Sequence, residues 1–200
     1  MKTEANAHLR FAKPRSPGSG ALVYRLALAA LLVVPLLSGC SVRVTPRTAP
    51  GCRAWERLGL IAETVPSASY VPCIATTPPG WESKGFVARD TGTTFSLLSD
   101  RAQGRAVAVS FRRTCSAAGA TPIPPRTAGG RSLLQLRSIE PRYAGTMFDV
   151  FPGGCVTYRF DFGREAHIAL MAELQEQVAL VPRDAVRREL RRIVDVELGP

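Results

Sequence analysis

Residues 155–162 run Cys-Val-Thr-Tyr-Arg-Phe-Asp-Phe, with Val156, Tyr158, Phe160 and Phe162 alternating with Thr157, Arg159 and Asp161. Successive side chains of an extended strand point to opposite faces, so this stretch predicts a strand with one apolar face and one polar face. Pro152-Gly153-Gly154 precedes it as a turn, and residues 146–151 form a second strand on the other side of that turn. The same period recurs upstream. Residues 105–114 place Val107, Val109 and Phe111 on one face, and residues 93–99 place Phe95 and Leu97 together. Residues 100–104 suit the hairpin loop between those two strands. Residues 86–89 and 133–139 read as further strands, and residues 115–130, rich in Pro, Gly, Ala and Thr, as a long loop.

The period then changes. Residues 164–180 place Met171, Leu174 and Val178 at spacings of three and four, with Val181 three further on, which predicts a helix. Pro182 interrupts and suits the first turn of a second helix over residues 183–197, where Val186, Leu190, Ile193 and Val194 make one stripe before Gly199. A short helix over residues 53–63 gathers Trp55, Leu58 and Ile61 or Ala62, although Gly59 weakens it. Residues 65–73, carrying Pro66 and Pro72, are expected to be an irregular covering segment, and residues 78–80 a turn. Strands first and helices last predict an α+β domain: an antiparallel sheet of five or six strands with two C-terminal helices packed on one face. No internal repeat is present.

Length allows one domain plus a targeting segment in these 200 residues. Arginine outnumbers lysine 23 to 3, a skew expected of a GC-rich coding sequence and read as carrying little function. Residues 26–37, Leu-Ala-Leu-Ala-Ala-Leu-Leu-Val-Val-Pro-Leu-Leu, follow Arg25 and end in Ser38, Gly39 and Cys40. A basic lead, a short apolar core and small residues make a secretory signal. Twelve residues are too few to span hydrocarbon, which needs about 20. The polar residues 1–24 are a long lead, and a start at Val23 would give a compact signal.

The tetrad Leu37-Ser38-Gly39-Cys40 resembles the lipobox of bacterial lipoproteins. The resemblance implies a diacylglyceryl group on the Cys40 thiol and cleavage just before it. The chain then divides into a signal peptide (1–39), a lipidated tether (40–51) bearing Pro46 and Pro50, and a single extracytoplasmic domain (52–200). Its expected location is the cell membrane, lipid-anchored on the extracytoplasmic face. Cleavage removes Lys2, Arg10, Lys13, Arg15, Arg25 and Glu4, so the net charge falls from +10 to +6. Anionic lipid or anionic wall polymer suits that charge, and export makes nucleic acid an unsuitable partner. The phrases VPSASYVPC (65–73) and FPGGCVTYRF (151–160) resemble segments of uncharacterised envelope proteins of GC-rich Gram-positive bacteria, which implies a compartment and no activity.

Cys52, Cys73, Cys115 and Cys155 are four further cysteines in an exported chain, and they predict two disulfides. Of three possible pairings, Cys52–Cys73 and Cys115–Cys155 each close a moderate loop between neighbouring elements. No CxxC occurs, which disfavours a zinc ribbon or a thioredoxin-type site.

Catalytic chemistry finds little support. Cys155 after Gly153-Gly154 has His167 as the sole histidine of the mature chain to serve as base, and a disulfide at a strand entry is the better reading. Glu165, His167 and Glu173 do not share a helix face as metal ligands would. No G-x-S-x-G or S-x-x-K occurs, and Ala128-Gly129-Gly130-Arg131 lacks the ending of a phosphate loop. No cofactor and no metal are expected. Arg183, Arg187, Arg188, Arg191 and Arg192 crowd the last helix as a candidate contact for anionic lipid or polymer, against the simpler reading of a solvated face. The expectation is a non-enzymatic, lipid-anchored binding or accessory protein whose partner is an envelope protein or anionic polymer. The alternatives are a surface hydrolase with a site scattered in sequence, and a structural lipoprotein supporting a membrane complex.

Overall fold

The computed structural model describes residues 49–102, 104–163 and 167–194. The expected signal peptide, Cys40, most of the expected tether, Glu165 and the end of the last predicted helix lie outside the described residues.

The chain runs α1 (Trp55–Thr64), β1 (Tyr70–Ile74), β2 (Trp81–Arg89), β3 (Gly92–Ser99), β4 (Gly104–Arg112), β5 (Thr121–Ile123), β6 (Arg131–Ser138), β7 (Tyr143–Phe151), β8 (Gly154–Phe162), α2 (His167–Gln177), β9 (Val178–Pro182) and α3 (Arg183–Val194). Strands β2 to β8 form one antiparallel sheet in the order β2-β3-β4-β8-β7-β6-β5, and β1 pairs with β9 in a separate ribbon. Among the described residues the architecture is therefore mostly antiparallel sheet with three helices, two of them C-terminal. The expected five or six strands become seven, with two more outside the main sheet.

The alternation that opens the sequence reading sets the register. Val156 lies opposite Phe111, Tyr158 opposite Val109 and Met147, and Phe160 opposite Val107 and Gly145. These inner-face side chains join Phe95, Leu97 and Phe162 in one apolar cluster with Leu58 and Ile61 of α1, Leu170 and Leu174 of α2, and Val186 and Leu190 of α3.

Four expectations need correction. The predicted helix 164–180 ends at Gln177, and Val178–Pro182 is a strand. β-branched side chains at residues 178 and 181, and the extended bias of the residue before a proline, favour a strand there. Its partner, β1, lies in the segment expected to be irregular. Pro72 is tolerated because even-numbered residues of β1 turn their amides away from β9: the Ile74 amide donates instead to Pro50 O at 3.0 Å. The tether expectation also shortens. Ala49 and Pro50 are buried, Cys52 N donates to Ile74 O at 3.0 Å, and Gly51 bridges Ile74. Finally, the long loop 115–130 contains β5, paired to β6 through Thr121–Leu134 and Ile123–Ser132.

Both disulfides form as expected, Cys52–Cys73 and Cys115–Cys155, with Cα–Cα distances of 5.0 and 6.3 Å. The first staples residue 52, ahead of α1, to the β1–β9 ribbon.

Candidate functional site

Six strand intervals at about 4.8 Å give the sheet a width near 29 Å, whereas one helix covers about 10 Å. Helix α1 lies over β2 and β3 with α3 packed against it, and α2 contributes Leu170 and Leu174 to the same apolar cluster. The inner surface of β5 and β6 is left partly uncovered, and a groove of about 570 Å³ opens there.

Helix α2 builds one wall. Leu170, Leu174 and Gln177 face the sheet and are buried. Ile168, Met171, Ala172 and Gln175 form a second stripe at i, i+3, i+4 and i+7, and this stripe lines the groove. Ile123 and Pro124, Leu134 of β6 and Tyr143 of β7 form the other wall. At one end the His167 ring stacks on Tyr143 at 4.8 Å, and Tyr143 stacks on Phe160 at 5.4 Å. At the other end stands Arg126. Ile168 is 77% exposed and Leu136, two residues beyond Leu134 on the same strand face, is 40% exposed, so the apolar surface continues past the groove's lip.

Arg126 holds the helix to the sheet. Its Nη1 donates to Asp149 Oδ2 at 2.8 Å and to the Tyr158 hydroxyl at 3.2 Å. Its Nη2 donates to Gln175 O at 2.6 Å and to Val178 O. A cation against the last carbonyls of α2 also opposes the negative end of the helix dipole. Ser132 Oγ donates to Asp149 Oδ1 at 2.6 Å, which completes the shell of that buried carboxylate. Burial, and then the Asp149 charge, push the Tyr158 phenol well above its usual value, so it stays protonated.

A second pin sits on the opposite flank of α2. Trp81 Nε1 donates to Glu173 Oε2 at 2.5 Å, and Arg101 grips the same carboxylate through both terminal nitrogens. The Arg101 hydrogen bonds, opposed by desolvation and aided by Trp81, hold Glu173 below the ordinary carboxylate value. Glu173 thus serves as a fastener and not as a metal ligand with His167. Among the described residues no group of three His, Cys, Asp or Glu is arranged to hold a metal.

The groove gathers His167 with Tyr143, Arg126 and Gln175, and among the described residues no carboxylate, serine or cysteine lines it. Cys155 is bonded to Cys115, which removes it as a nucleophile.

No protein-family model, curated protein or solved structure matches the chain.

The arginine set of the last helix divides. Arg183 is buried, donating through Nη1 to Ala62 O at 2.7 Å and through Nη2 to Glu63 Oε1 at 3.3 Å. It belongs to the α1–α3 junction, which corrects its assignment to a contact surface. Burial lowers its pKa from the ordinary arginine value. Arg187 is half-buried near Asp184 at 3.7 Å. Arg188, Arg191 and Arg192 are exposed, with Arg192 paired to Glu189 at 3.1 Å. Sequence reasoning missed the groove. The available signal was the second apolar stripe of α2, which widens its hydrophobic arc beyond what one buried face needs.

Proposed function

We propose that this chain is a lipid-anchored, extracytoplasmic protein of the cell envelope that acts by binding through the groove between α2 and the β5–β6 end of the sheet. The observation that carries the binding reading is the groove itself. It has the size of a ligand site, mostly apolar walls, and polar groups only at its ends. Its walls are fixed by Arg126 and Glu173 on either flank of α2, so the cleft is pre-formed. The anchoring reading rests on the signal core and the Leu37–Cys40 tetrad. Among the described residues no helix is long and apolar enough to cross a membrane.

A secondary contact with anionic lipid or wall polymer is favoured by Arg188, Arg191 and Arg192, which remain exposed on α3.

Cys40→Ala tests the anchor. The wild type should fractionate with membranes and carry a lipid mass on Cys40. The variant should be released or retained as precursor. A processed, membrane-bound Cys40→Ala product of unmodified mass would refute the anchor. In-cell crosslinking from residue 168 tests the groove: ligand adducts there support binding, and their absence with adducts at residue 191 would move the binding surface to α3.

A further inference from the structure

We infer that the groove takes the acyl chain of a membrane phospholipid; the inference rests on the binding reading above and names its ligand. The first ground is chemical. Ile123, Pro124, Leu134, Ile168, Met171 and Ala172 present aliphatic and thioether surface, and Met171 adapts to a flexible guest. A sugar would require a lining dense in carboxylates and amides. An extended peptide would require a free strand edge, and β5 carries Pro122 and is followed by Pro124 and Pro125, which donate no backbone hydrogen bond.

The second ground is shape. The lining stripe of α2 runs from His167 to Gln175, eight residues at about 1.5 Å each, so the trough is about 12 Å long. An elongated apolar trough with polar groups only at its ends fits a chain with a head group left at the rim.

The third ground is position. Arg126, at the α2 C-terminal end, donates to Val178 O. Val178 pairs with Ile74, and Ile74 donates to Pro50 O, where the tether enters. Two strand spacings, about 10 Å, separate that entry from β9. Eight residues separate Cys40 from Ala49, and the nine Cα steps between them reach at most about 30 Å. A lipidated Cys40 therefore keeps this end of the groove on the tether side of the domain, within reach of bilayer lipid.

The test uses the full processed protein in phosphatidylglycerol and phosphatidylethanolamine vesicles carrying a trace of phospholipid with a mid-chain diazirine. After illumination, adducts are mapped by mass spectrometry. The expected sites are Met171, Leu134 and Ile168. Ala172→Trp fills the trough from an exposed helical position, and it should cut labelling there by about tenfold or more while the circular dichroism spectrum stays unchanged. Ile168→Glu, at the lip, should weaken labelling as well. Groove peptides without adducts on membrane-bound protein would overturn the inference, as would labelling undiminished in Ala172→Trp. So would labelling seen only when the diazirine resides in the lipid on Cys40, which would assign the trough to the protein's own anchor. Cys40→Ala offered to the same vesicles separates the two readings. If only the anchor fails, the wild type is found free of membranes while the groove still labels. If only the groove assignment fails, the wild type stays on membranes with the trough unlabelled.

Discussion

Arg126 donates to Asp149 at 2.8 Å from a loop 23 residues earlier in sequence, and the same guanidinium ends on the carbonyls of Gln175 and Val178. One side chain thus joins the β5–β6 loop, the centre of the sheet and the end of α2. Asp149 is 1% exposed, so removing its cation leaves a buried charge uncompensated. Arg126→Ala should cost about 3–5 kcal/mol in urea unfolding. Replacing both partners, Arg126→Met with Asp149→Leu, should recover much of that loss. A double variant no more stable than Arg126→Ala would show that the carbonyl contacts, not the ion pair, carry the energy.

The two disulfides make a second prediction. Under denaturing conditions without reductant, none of Cys52, Cys73, Cys115 and Cys155 should react with an alkylating agent, and all four should react after reduction. Loops of 21 and 40 residues are closed. Breaking either by Cys→Ala should cost about 3–4 kcal/mol on the loop-closure model.

The sheet's centre was legible because β3, β4 and β8 each bury one face. Their inner residues had to be apolar at every second position, and Phe95, Val109 and Tyr158 record that constraint. The β1–β9 ribbon was not legible. Val178 and Val181 satisfy a helical stripe and a strand equally well, and the choice is made by a partner more than a hundred residues away. Arg183 looked like one more surface arginine because sequence does not show which helix lies against which. The groove depends on how much of the sheet three helices leave uncovered, a property of packing that no local pattern records. The expectation of an anchor at Cys40 rests on a local motif, residues 37–40, that needs no tertiary contact to be legible.

Gly153 closes the β7–β8 hairpin with φ 73°, a left-handed conformation, in a loop docked on residues 67–69. Ser69 N donates to Pro152 O at 3.0 Å, and Ser67 Oγ to Gly153 O at 2.7 Å. A Cβ at residue 153 would lie 1.7 Å from Ser67 O. Gly153→Ala therefore meets both an unfavourable φ and a backbone clash. It should cost at least about 1–3 kcal/mol, seen as a lower thermal midpoint. Gly129→Ala, at φ 68° with open space around it, carries only the conformational penalty and should be the milder of the two.

Glu173 gives the domain an acid-sensitive fastening. Its carboxyl is held below the ordinary 4.5, first by Arg101 and with help from Trp81. A carboxylate whose folded pKa is depressed contributes stability that is fully present above its unfolded value and is lost as pH falls through the folded value. Wild-type protein should therefore lose more stability between pH 7 and acid conditions below 4.5 than Glu173→Gln does. Urea midpoints at the two pH values measure this. Equal losses in the two proteins would mean that the Arg101–Glu173 pair contributes nothing in solution.

The buried and exposed arginines of α3 should separate by phenotype. Arg183 lies at the start of α3, its amide donating to Ser69 O at 2.8 Å while its Nη1 donates to Ala62 O at 2.7 Å near the end of α1. Substitution by Met keeps most of the stem's packing but leaves the Ala62 carbonyl without its charged donor. A charge-assisted bond of this kind contributes about 1.5–3 kcal/mol, so Arg183→Met should lower stability by that amount. It should leave binding to anionic vesicles unchanged. Arg188→Met and Arg191→Met, on the exposed face, should do the reverse: stability within about 0.5 kcal/mol of wild type, as for surface substitutions generally. Cosedimentation of those variants with phosphatidylglycerol vesicles should weaken and respond more weakly to added salt. If Arg183→Met alone weakened vesicle binding while remaining fully folded, the division of this helix into a packing residue and a contact face would be wrong.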